Sequence, residues 1–246
     1  MGILKSILLF AVVFLTASFS IENGSTLRDG LKAYWSLNQG GMCAFDELGR
    51  TKGEFKNALN YGLRKAPQFN GSPQYIEFGD VLDLGTNSLT VNAMVWLNTT
   101  SGNQTVICKT RATASKFRFA FRIINGQLAT LIYGNSGSDV APKSTGTVSA
   151  QRWTMVTFIL DRNSNVRMLI NGVEQTLDVS GSITTWYGVD FQSTDPLRIG
   201  AYTASDGVGL FGNYFNGYVA EIGIWHRVLT NNEIKYKFVE LSKNYH

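Results

Sequence analysis

From Leu31 the side chains alternate in character: Leu31, Ala33, Trp35 and Leu37 share one parity, while Lys32, Tyr34, Ser36 and Asn38 occupy the other. A period of two is that of a strand with one face buried. The pattern returns at Leu89, Val91, Ala93, Val95 and Leu97, interleaved with Thr90, Asn92, Met94, Trp96 and Asn98. It returns again at Phe117, Phe119, Phe121 and Ile123, interleaved with Arg118, Ala120 and Arg122. Strands of this kind predict antiparallel sheets with one face turned inward. Asn125-Gly126 joins the Phe117 strand to Leu128 through Tyr133, and Asn171-Gly172 joins Val166 through Ile170 to the segment after Val173. Both pairs suit the positive φ angles of a type I′ hairpin turn. The four prolines, Pro67, Pro73, Pro142 and Pro196, fall between the strand candidates, where a missing backbone donor breaks no ladder. The one helical signature is C-terminal: Thr230 and Glu233 form a capping-box pair, and Ile234, Phe238 and Leu241 recur at helical spacing.

The first twenty residues are of another kind. Lys5 is their only charge, an apolar run extends from Ile7 to Leu15, and small residues follow at Ala17, Ser18 and Ser20. This is the layout of a secretory signal peptide over residues 1–20, cut after Ser18 or Ser20, with a retained anchor helix as the alternative. The remainder reads as one domain over residues 27–242, since 246 residues with 44% hydrophobic content supply one sizeable core and no repeat or linker divides it. Charge is 22 Lys and Arg against 18 Asp and Glu, scattered along the chain. A balance so weak argues against nucleic acid, and a membrane is expected as partner only if the N-terminal segment is retained. In an exported chain the even pair Cys43 and Cys108 is a disulfide candidate, with two buried free thiols as the alternative.

Several short segments, taken in order, resemble the LamG-like jelly-roll family of the concanavalin A-like superfamily. They are Gly30-Leu-Lys-Ala-Tyr-Trp35, Gln68-Phe-Asn-Gly71, Leu89-Thr-Val-Asn-Ala93 and Arg152-Trp-Thr-Met-Val156. Pro196-Leu-Arg-Ile-Gly200, Phe215-Asn-Gly-Tyr-Val-Ala-Glu221 and the stretch from Trp225 to Ile234 continue the likeness. The resemblance implies an all-β fold: a two-sheet antiparallel jelly-roll sandwich, concanavalin A-like, with a short C-terminal helix. Against the family pattern, Ala220 stands where Asp is usual and Met94 where Trp is common, and the early loop reads Asp46-Glu-Leu-Gly-Arg-Thr-Lys-Gly53. With two oxygen-bearing positions gone, no metal site is expected, because a hard cation needs a full set of oxygen ligands.

Glycoside hydrolases need two carboxylates about 5 Å apart, which a strand supplies at alternate positions. No Glu-x-Asp-x-Glu run occurs, and with two histidines and no GxSxG motif neither a Ser-His-Asp triad nor a His-rich zinc site is expected. The chain is therefore expected to be no enzyme and to use no cofactor. Trp35 and Trp153 lie on alternating strands and are expected in the core. Trp186, Tyr187, Tyr202 and the stretch from Phe211 to Phe215 lie in or beside Gly-rich polar segments. Aromatic rings stack on sugar C–H faces while amides and carboxylates bond hydroxyls, so Trp186, Tyr187, Tyr202, Asp206, Asn213, Tyr214 and Asn135 are the candidate ligand-binding residues. The expected role is a secreted or surface-exposed binding module whose partner is a glycan or a surface glycoprotein. The alternative is a structural or protein-interaction component of a virion surface, spike or cell envelope.

Overall fold

The structure, a computed structural model, describes residues 26–57, 59–109, 118–133, 141–178, 190, 192–203 and 211–245. Within them nineteen strands, numbered β1 to β19 in chain order, build two large antiparallel sheets and a small hairpin. The eight-stranded sheet runs β14 (Val173–Glu174), β13 (Val166–Ile170), β12 (Trp153–Leu160), β7 (Leu89–Leu97), β19 (Asn216–Trp225), β5 (Pro67–Asn70) and β4 (Asn60–Tyr61), with β1 (Leu31–Trp35) also paired to β19. The nine-stranded sheet runs β15 (Leu177–Asp178), β11 (Lys143–Thr147), β10 (Gln127–Tyr133), β9 (Arg118–Ile124), β8 (Asn103–Lys109), β16 (Leu197–Ile199), β6 (Tyr75–Glu77), β3 (Lys52–Lys56) and β2 (Cys43–Phe45). β17 (Tyr202–Thr203) pairs with β18 (Phe211–Gly212).

This is the all-β jelly-roll sandwich that the alternation and the resemblance predict. Both Asn-Gly turns form as expected, with φ of 50° and 82° at Asn125 and Gly126 and of 50° and 76° at Asn171 and Gly172. Pro67 departs from expectation by opening β5, a place where its missing donor is tolerated.

Two apolar layers hold the sheets. Between them Trp35, Phe69, Phe121, Phe158 and Phe215 are fully buried, and Phe121 of one sheet stacks on Phe158 of the other with ring centroids 5.6 Å apart. Each such side chain contributes roughly 1.5–3 kcal/mol by leaving water. Phe215 thus belongs to the core and not to a ligand-facing group. The second layer lies on the outer face of the eight-stranded sheet, where helix α1 (Asn231–Ser242) places Ile234 and Leu241 on Met94, Met155, Ile159, Leu169, Ala220 and Trp225. For this reason β7 is buried on both faces along almost its whole length, although its sequence alternates. Asn92 donates to Thr157 Oγ1 at 2.9 Å, and Thr90 donates to the Arg227 carbonyl at 2.7 Å. Trp153 is half-buried on this outer face, against Tyr245, rather than between the sheets.

The capping box read from the sequence is present. Thr230 Oγ1 accepts from the Glu233 amide at 3.2 Å, and Glu233 accepts from the Thr230 amide at 2.8 Å. α1 is fixed to the sheet by a buried polar group. A bulge in β19 gives Glu221 a φ of 53° and turns its carboxylate toward the helix, where it accepts from the hydroxyls of Tyr34 and Tyr245. Lys237 of α1 is buried beside it, 4.8 Å over the Tyr34 ring and 5.5 Å over the Trp225 ring. Burial pushes the Lys237 ammonium down to about 8, against the pull of the Glu221 charge.

Removing one partner of such a group leaves buried donors and a buried charge uncompensated. Glu221→Ala is expected to cost about 3–5 kcal/mol in urea unfolding. Glu240→Ala, which loses only the exposed pair with Lys243, is expected to change stability by less than about 1 kcal/mol.

Candidate functional site

The outer face of the nine-stranded sheet has no helix over it among the described residues and carries the polar half of the strand alternation. Directly paired residues on neighbouring strands share a face. One row across the sheet therefore reads Cys43, Glu54, Glu77, Arg198, Cys108, Ala120 and Leu131. Beside it, Lys56 pairs with Tyr75 on one side of the face, and on the other Thr105, Arg122, Ala129 and Lys143 follow in register.

Two ion pairs lie on this face. Arg198 Nε donates to Glu77 Oε2 at 2.7 Å from a guanidinium only 9% exposed, and Lys56 Nζ lies 2.7 Å from Glu54. The hydrogen bond from Lys56 holds the Glu54 carboxyl below its ordinary range. Aromatic rings lie among them. Tyr202 packs on Cys108 and Ala120 with the Arg122 guanidinium 5.6 Å over its ring. Burial, followed by the neighbouring Tyr75 phenol, raises the Tyr214 hydroxyl. The Asn213 carbonyl accepts from the Thr105 amide at 2.9 Å and sets this segment alongside β8.

Of the residues singled out from the sequence, Tyr202, Asn213 and Tyr214 thus reach one region of the sheet, with Tyr202 buried as a stacked ring rather than standing free. Trp186, Tyr187, Asp206 and Asn135 lie outside the described residues. Tyr75, Arg122, Arg198, Glu77 and Glu54 were not anticipated. They come from separate strands, and only the register of β3, β6, β16, β8 and β9 brings them together, so no local spacing signals them.

That register also sets two carboxylates opposite one another, Glu54 and Glu77. For such a pair to do glycosidic chemistry one of the two must hold a proton to act as an acid. Both are instead ion-paired, and Glu54 is shifted in the wrong direction for that task. Among the described residues no three His, Cys, Asp or Glu side chains gather as metal ligands. Asp46, in the loop where the family has its oxygen-rich run, spends its carboxylate on the amides of Tyr34, Leu48 and Arg50.

The disulfide candidate is corrected. Cys43 and Cys108 are both free thiols, on β2 and β8 of the same row, and four strand spacings put them roughly 19 Å apart. A bridge needs Cα atoms within about 7 Å. The Cys108 thiol instead donates to the Ala201 carbonyl at 3.1 Å.

Comparison with known proteins agrees with this architecture. The family described as the concanavalin A-like lectin/glucanases superfamily matches residues 70–235. No curated protein matches the chain in sequence. Among solved structures, the binding domain of botulinum neurotoxin serotype G superposes with a TM-score of 0.65 at 12% identity, over 85% of this chain and 51% of that one. The binding domain of botulinum neurotoxin DC, solved in complex with rat synaptotagmin II, gives 0.64 at 13% identity over 86% and 52%. A botulinum neurotoxin type C structure, whose cell entry is described as dependent on two ganglioside molecules, gives 0.62 at 12% identity over 86% and 51%. The likeness at this identity is one of fold, and the chain spans about half the length of these binding domains.

Two outcomes follow from the geometry. In the native, non-reduced protein Cys43, half-exposed, is expected to be alkylated while Cys108, fully buried, is protected, and reductant is expected to leave the melting temperature unchanged. Burial depresses the His226 imidazole to about 4, so between pH 6.5 and 4 the unfolded chain binds a proton that the folded chain refuses. Stability is expected to fall as pH drops through that window, and His226→Leu, read by thermal melting, to flatten part of the slope.

Proposed function

The chain belongs to the concanavalin A-like lectin/glucanases superfamily, and from that premise we propose that it is a non-catalytic, exported binding module that recognises carbohydrate. The observation that carries this reading is the outer face of the nine-stranded sheet, where Tyr75 lies two residues before Glu77 on β6, Glu77 takes the Arg198 guanidinium in an ion pair, and the Tyr214 phenol neighbours Tyr75. A phenol ring offers a flat apolar surface to the C–H groups of a pyranose, and a paired guanidinium and carboxylate donate to and accept from adjacent hydroxyls without being left unpaired when the ligand departs. Trp186, Tyr187, Asp206 and Asn135, with Tyr202 and Asn213, extend the same site in this proposal. The ganglioside and synaptotagmin ligands named for the neurotoxin structures support a glycan or surface glycoprotein as partner. Export through a leader over residues 1–20 belongs to the same reading, as does an extracellular or surface location.

A protein-interaction role, in an envelope or virion surface, is the second reading, and one observation favours it. Edge strand β2 ends the nine-stranded sheet, preceded by Met42 at 84% exposure and closing on Phe45 at 55%. Exposed apolar residues on a free strand edge invite strand addition by another chain.

On a glycan array the mature chain is expected to bind at least one oligosaccharide. Tyr75→Ala and Tyr214→Ala are each expected to weaken that binding by about 1–3 kcal/mol with melting within a few degrees of the parent. Trp35→Ala, from the core, is expected to lose about 3–5 kcal/mol of stability instead. Unaltered binding in both tyrosine variants, or self-association with no glycan bound, would turn the assignment to the β2 edge.

A further inference from the structure

Four strands stand at the ends of the two large sheets, and three of them carry a charge or an amide: β14 is Val173–Glu174, β15 is Leu177–Asp178 and β4 is Asn60–Tyr61. Polar groups on an edge discourage another chain from pairing with it. The fourth, β2, is Cys43-Ala-Phe45 and carries none, and Gly40, Gly41 and the exposed Met42 precede it.

The hydrogen bonds to β3 decide which groups this edge offers. The Phe55 amide donates to the Met42 carbonyl at 3.2 Å and the Asp46 amide to the Thr51 carbonyl at 3.0 Å, so Met42, Ala44 and Asp46 turn their backbone groups toward β3. Residues in between turn the other way. The amides and carbonyls of Cys43 and Phe45 therefore point out of the sheet, and among the described residues nothing bonds to them.

These two residues lie symmetrically about Ala44. A half-rotation about an axis through Ala44, normal to the sheet, brings a second copy alongside with its Phe45 opposite Cys43 and its Cys43 opposite Phe45. Each such pair exchanges two hydrogen bonds, so every outward amide and carbonyl of both strands is used. Ala44 meets its own copy in a non-bonded pair, where Cα atoms are only about 4.5 Å apart and a methyl fits. Each Cys43 sulfur lies against a Phe45 ring, a favourable contact.

Charge selects this register over its neighbours. On the outer face Glu54 stands beside Cys43 and Lys52 beside Phe45, with the Lys52 ammonium 5.7 Å from the Phe45 ring centroid and so leaning toward the edge. With the axis at Ala44, the row runs Glu54, Cys43, then Phe45 and Lys52 of the second copy. The ammonium over that ring is then two strand spacings, roughly 10 Å, from Glu54, close to the Debye length at 0.1 M salt. By symmetry the attraction occurs twice. An axis at Cys43 would instead align Glu54 with Glu54, and one at Phe45 would align Lys52 with Lys52.

We infer that β2 is a self-association edge, through which two copies of this chain pair antiparallel about Ala44 and join their nine-stranded sheets into one. The inference rests on the second reading above, that β2 takes up a strand, and names that strand. A contact this short falls below the roughly 800 Å² per partner of a stable complex, so the dimer is weak and forms with rising concentration. Residues directly opposite one another share a face, so the outer faces of both nine-stranded sheets lie on one surface of the dimer and present their tyrosines to one target.

The test is sedimentation velocity on the full mature chain, kept reduced, from about 5 μM to about 500 μM, the range in which a contact of this size associates. A shift from monomer toward dimer is expected, weakened by added salt. Lys52→Glu, an exposed position, is expected to weaken the dimer at least tenfold, and the double variant Lys52→Glu, Glu54→Lys to restore most of the loss. Register is read by cross-linking with copper phenanthroline. Phe45→Cys is expected to give a covalent dimer at least tenfold faster than the parent, whose two Cys43 residues are diagonal neighbours about 7–8 Å apart and poorly placed to bridge. A monomer at every concentration, a dimer indifferent to Lys52→Glu, or a parent that cross-links as fast as the variant would each overturn the inference. A labelled peptide of residues 41–47 separates this failure from that of the reading beneath it. Peptide bound by a chain that stays monomeric overturns self-association and leaves β2 to a strand of another protein, whereas a monomer that ignores the peptide overturns both.

Discussion

Burial of β7 and β19 on both faces is the constraint on which the arrangement depends. A sheet that is apolar on two sides needs two covers. The nine-stranded sheet supplies one and α1 the other, through Ile234 and Leu241 on Met94, Met155 and Ala220. The helix could not stay there on apolar contact alone, because its docking face includes Lys237. Glu221, turned over by the bulge in β19, gives that charge a partner and gives Tyr34 and Tyr245 an acceptor. Among the described residues, what lies outside this cover includes the outer face of the nine-stranded sheet and the exposed edge at β2.

The fold was legible because its signals are local. Alternation at Leu89–Leu97, the Asn-Gly turns at 125–126 and 171–172, and the Thr230–Glu233 cap each need only a few adjacent residues, and a strand, two hairpin turns and a capped helix stand at those places. What alternation could not reveal is which polar face would be covered. The Thr90, Asn92, Met94 face of β7 reads as solvent-facing in sequence and is buried under α1 and neighbouring strands. Trp153 was misread for the same reason: a tryptophan on a strand can lie between the sheets or on the far side, and only the position of the helix decides.

The candidate sites were less legible, because a face of a sheet is assembled by register. Glu54 and Glu77 are opposite one another across β3 and β6, and Arg198 joins them from a strand more than a hundred residues later in the chain. No spacing rule within one segment foretells such a row. The same arithmetic removed the disulfide, since an even cysteine count says nothing about strand order. Of the aromatic residues singled out by type, Tyr202 packs on Cys108 of β8 and Ala120 of β9, a placement that follows from register and not from the residues beside it.

The pairing of β1 with β19 has a kinetic side. Leu31 lies opposite Trp225, and Trp225 Nε1 donates to the Leu27 carbonyl, so the first and last strands of the domain are neighbours. A nascent chain leaving the ribosome can form hairpins such as β9–β10 early, but the centre of the eight-stranded sheet stays open until β19 has emerged. Contacts so distant in sequence must close long loops before any burial rewards them, which places the domain among slow folders. Until then Met94, Met155 and the half-built edges are exposed, and a growing chain of this design has reason to depend on holding factors that shield apolar strands until its C-terminal third is complete.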